Sequence, residues 1–190
     1  MAKKDSSRND LSDLCETSSG LCVIPNSTQS APSVRRGIDK SPMNIRKAVK
    51  SDIDALIGFN EAMALETEGK ALYTGTLRKG VEAVFDDPQK GFYLVAEDKG
   101  RVVGGLMITF EWSDWRNAWF WWIQSVYVEP SYRGRRVYSQ LYDFAKREAA
   151  DAGNTCGLRL YVEKENAHAQ RVYEKLGMEE TYYLMYEEKL

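Results

Sequence analysis

Residues 124–141 hold the side chains and backbone best suited to chemistry. Val126, Tyr127 and Val128 end an apolar strand at Pro130; Arg133, Gly134, Arg135 and Arg136 form a short basic loop; Val137 and Leu141 then open an amphipathic helix. The first N–H groups of a helix have no acceptor within it, and the helix dipole adds positive potential at the same end. Backed by guanidinium groups, such a spot suits a phosphate. A second concentration is aromatic: Trp112, Trp115, Trp119, Phe120, Trp121 and Trp122 fall within eleven positions. Strand alternation puts Trp119 and Trp121 on one face and Phe120 and Trp122 on the other. One set packs a core. The other, with Trp112 and Trp115, is a candidate wall for an apolar amine or a cation held over a ring.

The bulk composition narrows the field. With 26 basic against 28 acidic residues, the net charge is −2. Nucleic-acid binders carry a basic excess or stripe, so the single basic turn at 133–136 argues against that partner. No apolar run reaches the roughly 20 residues a membrane helix needs. Cys15, Cys22 and Cys156 lack metal-like spacing, and His168 is the one histidine, so no metal site is expected. The thiols read as free, in a reducing cytoplasm.

These groups are positioned by a patterned domain at 43–190. Residues 1–42 are rich in Ser, Asp, Asn, Lys and Pro and read as a disordered tail. Strands are expected at 44–48, 91–97, 102–111, 118–128, 157–162 and 181–187. Helices are expected from residue 53, with Ile53, Leu56, Ile57, Phe59, Met63 and Leu65 as its stripe and Ser51 or Asp52 as its cap, and at 77–85, 134–150 and 166–176. Asp98, Lys99, Gly100 and Arg101 form a hairpin turn. Gly104 and Gly105 mark a bulge or a close backbone approach. The element order is β-α-α-β-β-β-α-β-α-β, a mixed sheet flanked by helices.

That order, with three motifs, resembles the GNAT superfamily of N-acetyltransferases over residues 43–190. The motifs are Val126 to Pro130 followed by Tyr132, Arg133, Gly134 and Arg135; Leu160, Tyr161, Val162 and Glu163 followed by Asn166; and Asn166 to Met178, with Ala169, Tyr173 and Gly177 at the family's spacing. The resemblance implies an α+β (α/β mixed) fold, with a mostly antiparallel central sheet of six to seven strands and about four helices. It implies acetyl-CoA as cosubstrate and a primary amine as acceptor, on a small molecule or a peptide. The loop at Arg133, Gly134, Arg135, Arg136, Val137 and Tyr138 would cradle the pyrophosphate. Val126, Tyr127 and Val128 would pair with the pantetheine arm, the Val126 N–H serving the thioester oxygen. Asn166 would hydrogen-bond that arm or cap its own helix. Tyr173 takes the general-acid position beside the sulfur. Glu111 and Asp114 lie where the family often places a base; Glu66 and Glu68 are further candidates and could bind a cationic acceptor.

Two positions depart from the family pattern: Arg136 and Tyr138 stand where small residues are expected. A residue with a Cβ still presents its N–H if its backbone keeps right-handed helical angles. The departures also motivate an alternative, a catalytically silent coenzyme A sensor or scaffold on the same fold. An exposed final strand suggests a homodimer.

Overall fold

The computed structural model describes residues 43–188; the expectation of a disordered tail falls on residues outside them. Five strands lie in the order β1 (Asn44–Lys47), β2 (Phe92–Asp98), β3 (Arg101–Ser113), β4 (Ala118–Val128) and β5 (Thr155–Arg159). The first four are antiparallel neighbours, and β5 runs parallel to β4. Four α-helices complete the fold: α1 (Ile53–Glu68), α2 (Thr74–Asp86), α3 (Val137–Asp151) and α4 (Ala167–Lys175). Among the described residues, no helix is long and apolar enough to cross a membrane.

The sheet is sandwiched, and β2 shows why. Leu94 and Ala96 face α3 and α4, in a core with Leu106, Ile108, Ile123, Leu141 and Ala145. Tyr93 and Val95, one residue out of phase, face α1 and α2, in a core with Leu56, Ile57, Phe59, Met63 and Val81. Apolar residues at consecutive positions are what a strand covered on both sides requires. Gly104 and Gly105 mark the expected close approach: a Cβ at either would stand 3.0 Å from a neighbouring carbonyl oxygen, of Tyr127 and Leu94 respectively. The β2–β3 turn places Lys99 and Gly100 at φ 53° and 79°, the signature of a two-residue hairpin.

Three expectations are corrected. The sheet has five strands among the described residues, not six to seven. Residues 181–187 make no ladder, and Tyr182, Tyr183, Leu184, Met185 and Tyr186 are 56–98% exposed. Their composition favours a strand, but a strand exists only where an edge receives it. Leu65, read into the stripe of the first helix, is 63% exposed. Asp52 opens α1 without a side-chain cap. Its carboxylate turns back instead, accepting two bonds from Arg46 at 2.7 and 3.0 Å and one from the Val49 N–H at 2.8 Å. Burial alone would raise that carboxyl's pKa; the guanidinium and the N–H outweigh it and hold the group below the usual aspartate range.

Candidate active site

The decisive geometry is where β4 and β5 stop pairing. Their ladder runs from Trp119↔Thr155 to Trp122↔Arg159 and ends there. β4 continues for six more residues to Val128, while the chain leaves β5 at Arg159. From Ile123 onward β4 has no ladder partner on its β5 edge among the described residues, and this unpaired stretch is the gap in the sheet. On its other edge β4 stays bonded to β3, except at one irregularity: Gly105 faces Tyr127 and Met107 faces Gln124, so Ser125 and Val126 together oppose Leu106. Ser125 sits at φ 49°. This is a β-bulge, an extra residue that bends the strand. The Glu129 N–H bonds the Val103 carbonyl at 2.9 Å, on the β3 side. Two-residue alternation then turns the N–H groups of Val128 and Val126 toward the gap and that of Tyr127 toward β3. Of the three strand residues expected to face a bound arm, two present backbone to the opening. Tyr127 does not: its ring lies in the α1–α2 core, and its hydroxyl donates to Glu66 at 3.0 Å. Burial, then the Glu66 carboxylate, push that hydroxyl's pKa up to about 12.

The loop after β4 makes one short helical turn at Pro130–Tyr132 and then two left-handed steps, Gly134 at φ 76° and Arg136 at φ 61°. Left-handed steps followed by a helix curl successive N–H groups into an anion-binding concavity. The Gln140 N–H is the first in α3 to reach a helical acceptor, the Arg136 carbonyl at 3.1 Å, so the amides before it aim out of the helix end. The side chains of Val137 and Tyr138 are buried beneath, at 2% and 7% exposure. Arg136 thus does not keep the right-handed angles under which a residue with a Cβ would present its N–H without strain. A non-glycine residue in this conformation costs about 1–3 kcal/mol. Arg133 does not point freely at the loop. Its Nε donates to the Val128 carbonyl at 2.9 Å and its Nη2 to Glu66 at 2.7 Å, tying loop, β4 and α1 together. Arg135 stacks over the Tyr132 ring at 4.6 Å.

The candidate acids and aromatics separate into distinct places. Glu111 accepts from the Trp122 indole N–H at 2.5 Å and from Arg159 at 2.8 and 3.0 Å. Arg159 in turn covers the Phe120 ring at 3.5 Å, and Trp122 meets Tyr161 at 5.6 Å. This cluster lies at the closed end of the gap, on the sheet face opposite Trp119 and Trp121. Asp114 and Trp115 stand at the tip of the β3–β4 hairpin, with Trp115 89% exposed. Val126 is eight residues beyond Ala118, so the tip is on the order of 25 Å from it along β4. Trp112 packs edge-on against Trp119 at 5.0 Å, on the α3 side. Neither tryptophan shares a pocket with Glu66, and Glu68 pairs with Lys70 at 3.1 Å.

From the other side of the sheet, α4 contributes Tyr173, 4% exposed, its ring edge-on to Tyr138 at 5.8 Å. Asn166 caps α4 through its side-chain oxygen, which accepts from the Ala169 N–H at 3.0 Å. Sequence reasoning missed Arg159 and the bulge at Ser125. The first carried a signal, an arginine between two leucines in an apolar strand; the second carried none, because serine does not announce a positive φ. A separate groove of about 780 Å³ lies between α1 and the β2–β3 turn. Its Arg46 and Asp52 pair at 2.7 Å and its Arg101 and Glu129 at 2.5 Å, so it offers no unmatched charge.

Comparison with known proteins agrees with this geometry. A curated relative, the aminoalkylphosphonate N-acetyltransferase of Salmonella typhimurium, is 28% identical over 152 residues, covering 79% of this chain and 94% of its own. A solved structure from Clostridium difficile 630, described as a possible acetyltransferase, is 45% identical with a TM-score of 0.74, covering 78% of this chain and 97% of that one. AAC(6')-Iy, solved with the bisubstrate analogue CoA-S-monomethyl-acetylneamine, shares the fold at 19% identity and a TM-score of 0.66, over 79% of this chain and 99% of that one. Residues 61–178 match the model of the acetyltransferase (GNAT) family, and so the protein whose sheet opens beyond Trp122 and Arg159 belongs to that family.

Proposed function

We propose that this protein transfers the acetyl group of acetyl-CoA to a primary amine, by direct attack of the amine on the thioester. The observation that carries the reading is the gap between β4 and β5 beside a loop that turns backbone amides outward. The residues present fit the coenzyme. The amides of 134–138 suit a diphosphate, and the N–H groups of Val126 and Val128 suit an extended, amide-rich arm laid along the strand edge. The coenzyme supplies an activated acetyl group and a thiol leaving group. The Val126 N–H is the donor for the thioester oxygen as negative charge develops there.

An amine with a pKa near 10.4 costs about 4–5 kcal/mol to deprotonate at pH 7. We assign this proton to Glu111, reached through a water, because it is the candidate carboxylate at the gap on the face away from α3 and α4. Glu66 holds the loop through Arg133 and Tyr127. Tyr173 donates to the departing sulfur, whose ordinary pKa near 8.5 makes late protonation cheap. Asp114, Trp112, Trp115 and Glu68 take no part in this scheme.

The alternative is a silent coenzyme sensor, favoured by the left-handed arginine at 136. One experiment separates them: thiol release from acetyl-CoA against a panel containing 2-aminoethylphosphonate, neamine and a lysine peptide. Release with any amine is the expected result. Tight coenzyme binding, read as thermal stabilisation of about 2.7 kcal/mol at 100 times Kd, with release from none, would establish the sensor. We place the protein in the cytoplasm, where an exposed thiol such as Cys156 stays reduced. The exposed run at 182–186, with the outer edge of β5 unpaired among the described residues, supports a second copy of the chain as a partner. A dimer mass for the full chain that drops to monomer on removing residues 179–190 is expected; a monomeric full chain would exclude it.

A further inference from the structure

We propose that the acceptor is an amine that also carries an anionic group, a carboxylate or a phosphonate, and that Arg159 binds this group beside Glu111. The inference rests on the acetyl-transfer reading above and adds the substrate class to it.

The sheet face that holds Glu111 changes character along β3. Met107 packs against the α1–α2 core. Thr109 and Glu111, two and four residues further on and so on the same face, are polar and half-buried. Their partners across the ladder are Trp122 and Phe120. Gln124 extends the row toward the bulge: its side-chain amide donates to the Thr109 hydroxyl at 2.6 Å, and it directly precedes Ser125 and Val126. A polar strip therefore leads from Arg159, which pairs with Trp122 in the ladder, to the strand position proposed to receive the thioester.

Charge decides what the strip accepts. A cationic group on the acceptor, beyond the reacting amine, needs an unmatched carboxylate, and the candidates are engaged. Glu66 pairs with Arg133 at 2.7 Å, Glu68 with Lys70 at 3.1 Å and Glu111 with Arg159 at 2.8 Å; Asp114, at the hairpin tip, accepts from the Trp115 N–H at 2.9 Å. At the Phe120 ring positive charge is in excess. Two guanidinium groups meet it, Arg159 at 3.5 Å and Arg116 at 5.1 Å, and Glu111 is the carboxylate bonded into the cluster. Both bonds to Glu111 leave from Nη1 of Arg159, one nitrogen of a planar fork with five N–H donors. Proton transfer sharpens the preference. When Glu111 has taken the amine's proton it is neutral, and Arg159, only 30% exposed, has lost its counter-charge. An anion on the acceptor restores it through a charge-assisted bond; a neutral or dicationic amine does not.

The test is thiol release from acetyl-CoA with four amines of similar length: 4-aminobutanoate, 3-aminopropylphosphonate, butylamine and 1,4-diaminobutane. Each is assayed with wild type, Arg159→Gln and Arg159→Lys, with the melting temperature of each protein as a check on folding. Wild type should favour at least one anionic amine over both others by about 10-fold or more in kcat/KM, and the better of the two shows which anion is bound. Arg159→Gln should lower that ratio about 10- to 100-fold, the loss expected for a hydrogen bond to a charged group. Arg159→Lys, which keeps the charge and loses the fork, should recover part of it. Taking the ratio cancels any effect of the substitution on Glu111, which serves every amine alike. No wild-type preference for an anion, or a ratio unchanged in a folded Arg159→Gln variant, overturns this proposal alone, as does release with neamine or the lysine peptide but with neither anionic amine. Release with none of these amines overturns the acetyl-transfer reading and this proposal with it.

Discussion

On the proposed function, Glu111→Gln is expected to lower kcat/KM for the amine about 100-fold at pH 7, at the low end for loss of a general base. The substitution is conservative in shape. Glutamine can still accept from the Trp122 indole N–H, and Arg159 keeps its place over the Phe120 ring. Glu111 is 42% exposed and Arg159 30%, so the unpaired guanidinium finds water and the fold survives. What is lost is the carboxylate's capacity to take a proton. The diagnostic is the split between substrates: kcat/KM for the amine falls while KM for acetyl-CoA stays unchanged. A variant with wild-type kcat/KM would reduce Glu111 to the anchor of Arg159 and Trp122.

With Tyr173 as the proposed proton donor, Tyr173→Phe is expected to lower kcat about 10- to 100-fold with little change in KM for either substrate. The hydroxyl alone is removed. The ring keeps its edge-on contact with Tyr138 at 5.8 Å, and the buried α3–α4 core keeps its volume. A rate loss without a loss of melting temperature therefore isolates the hydroxyl's chemistry from its packing. The effect should shrink for a thioester analogue whose leaving thiol is more acidic, because such a thiolate departs without a proton. Full activity at saturating substrate would remove Tyr173 from the reaction.

Much of this site was legible from residue order alone. The strand ending at Pro130, the helix led by Val137 and Leu141, and the helix carrying Tyr173 all stand within a few residues of where periodicity puts them. Hairpin arithmetic also separates the candidates: β4 is 11 residues long, with Asp114 beyond one end and the phosphate-suited loop beyond the other, so Asp114 lies far along the strand from Val126. Strand alternation was equally informative about Tyr127, whose N–H shares its direction with that of Glu129. Other features were not legible. Nothing in Thr181, Tyr182 or Tyr183 says whether an edge will receive them. Arginine is an ordinary residue at a helix start and an uncommon one at φ 61°, and only the path of the chain from Gly134 decides between these.

The bulge at Ser125 has a further consequence, in how this gene can drift. Before it, Trp121 and Ile123 meet α3; after it, Val126 and Val128 do. One inserted residue has switched the parity of the strand. Losing the Ser125 codon would remove the extra residue and leave Val126 and Val128 in that core on a straighter strand, whereas a further inserted residue would turn them out of it and reverse the amides lining the gap. The bulge is therefore a place where this strand can shorten by one residue without exchanging its two faces.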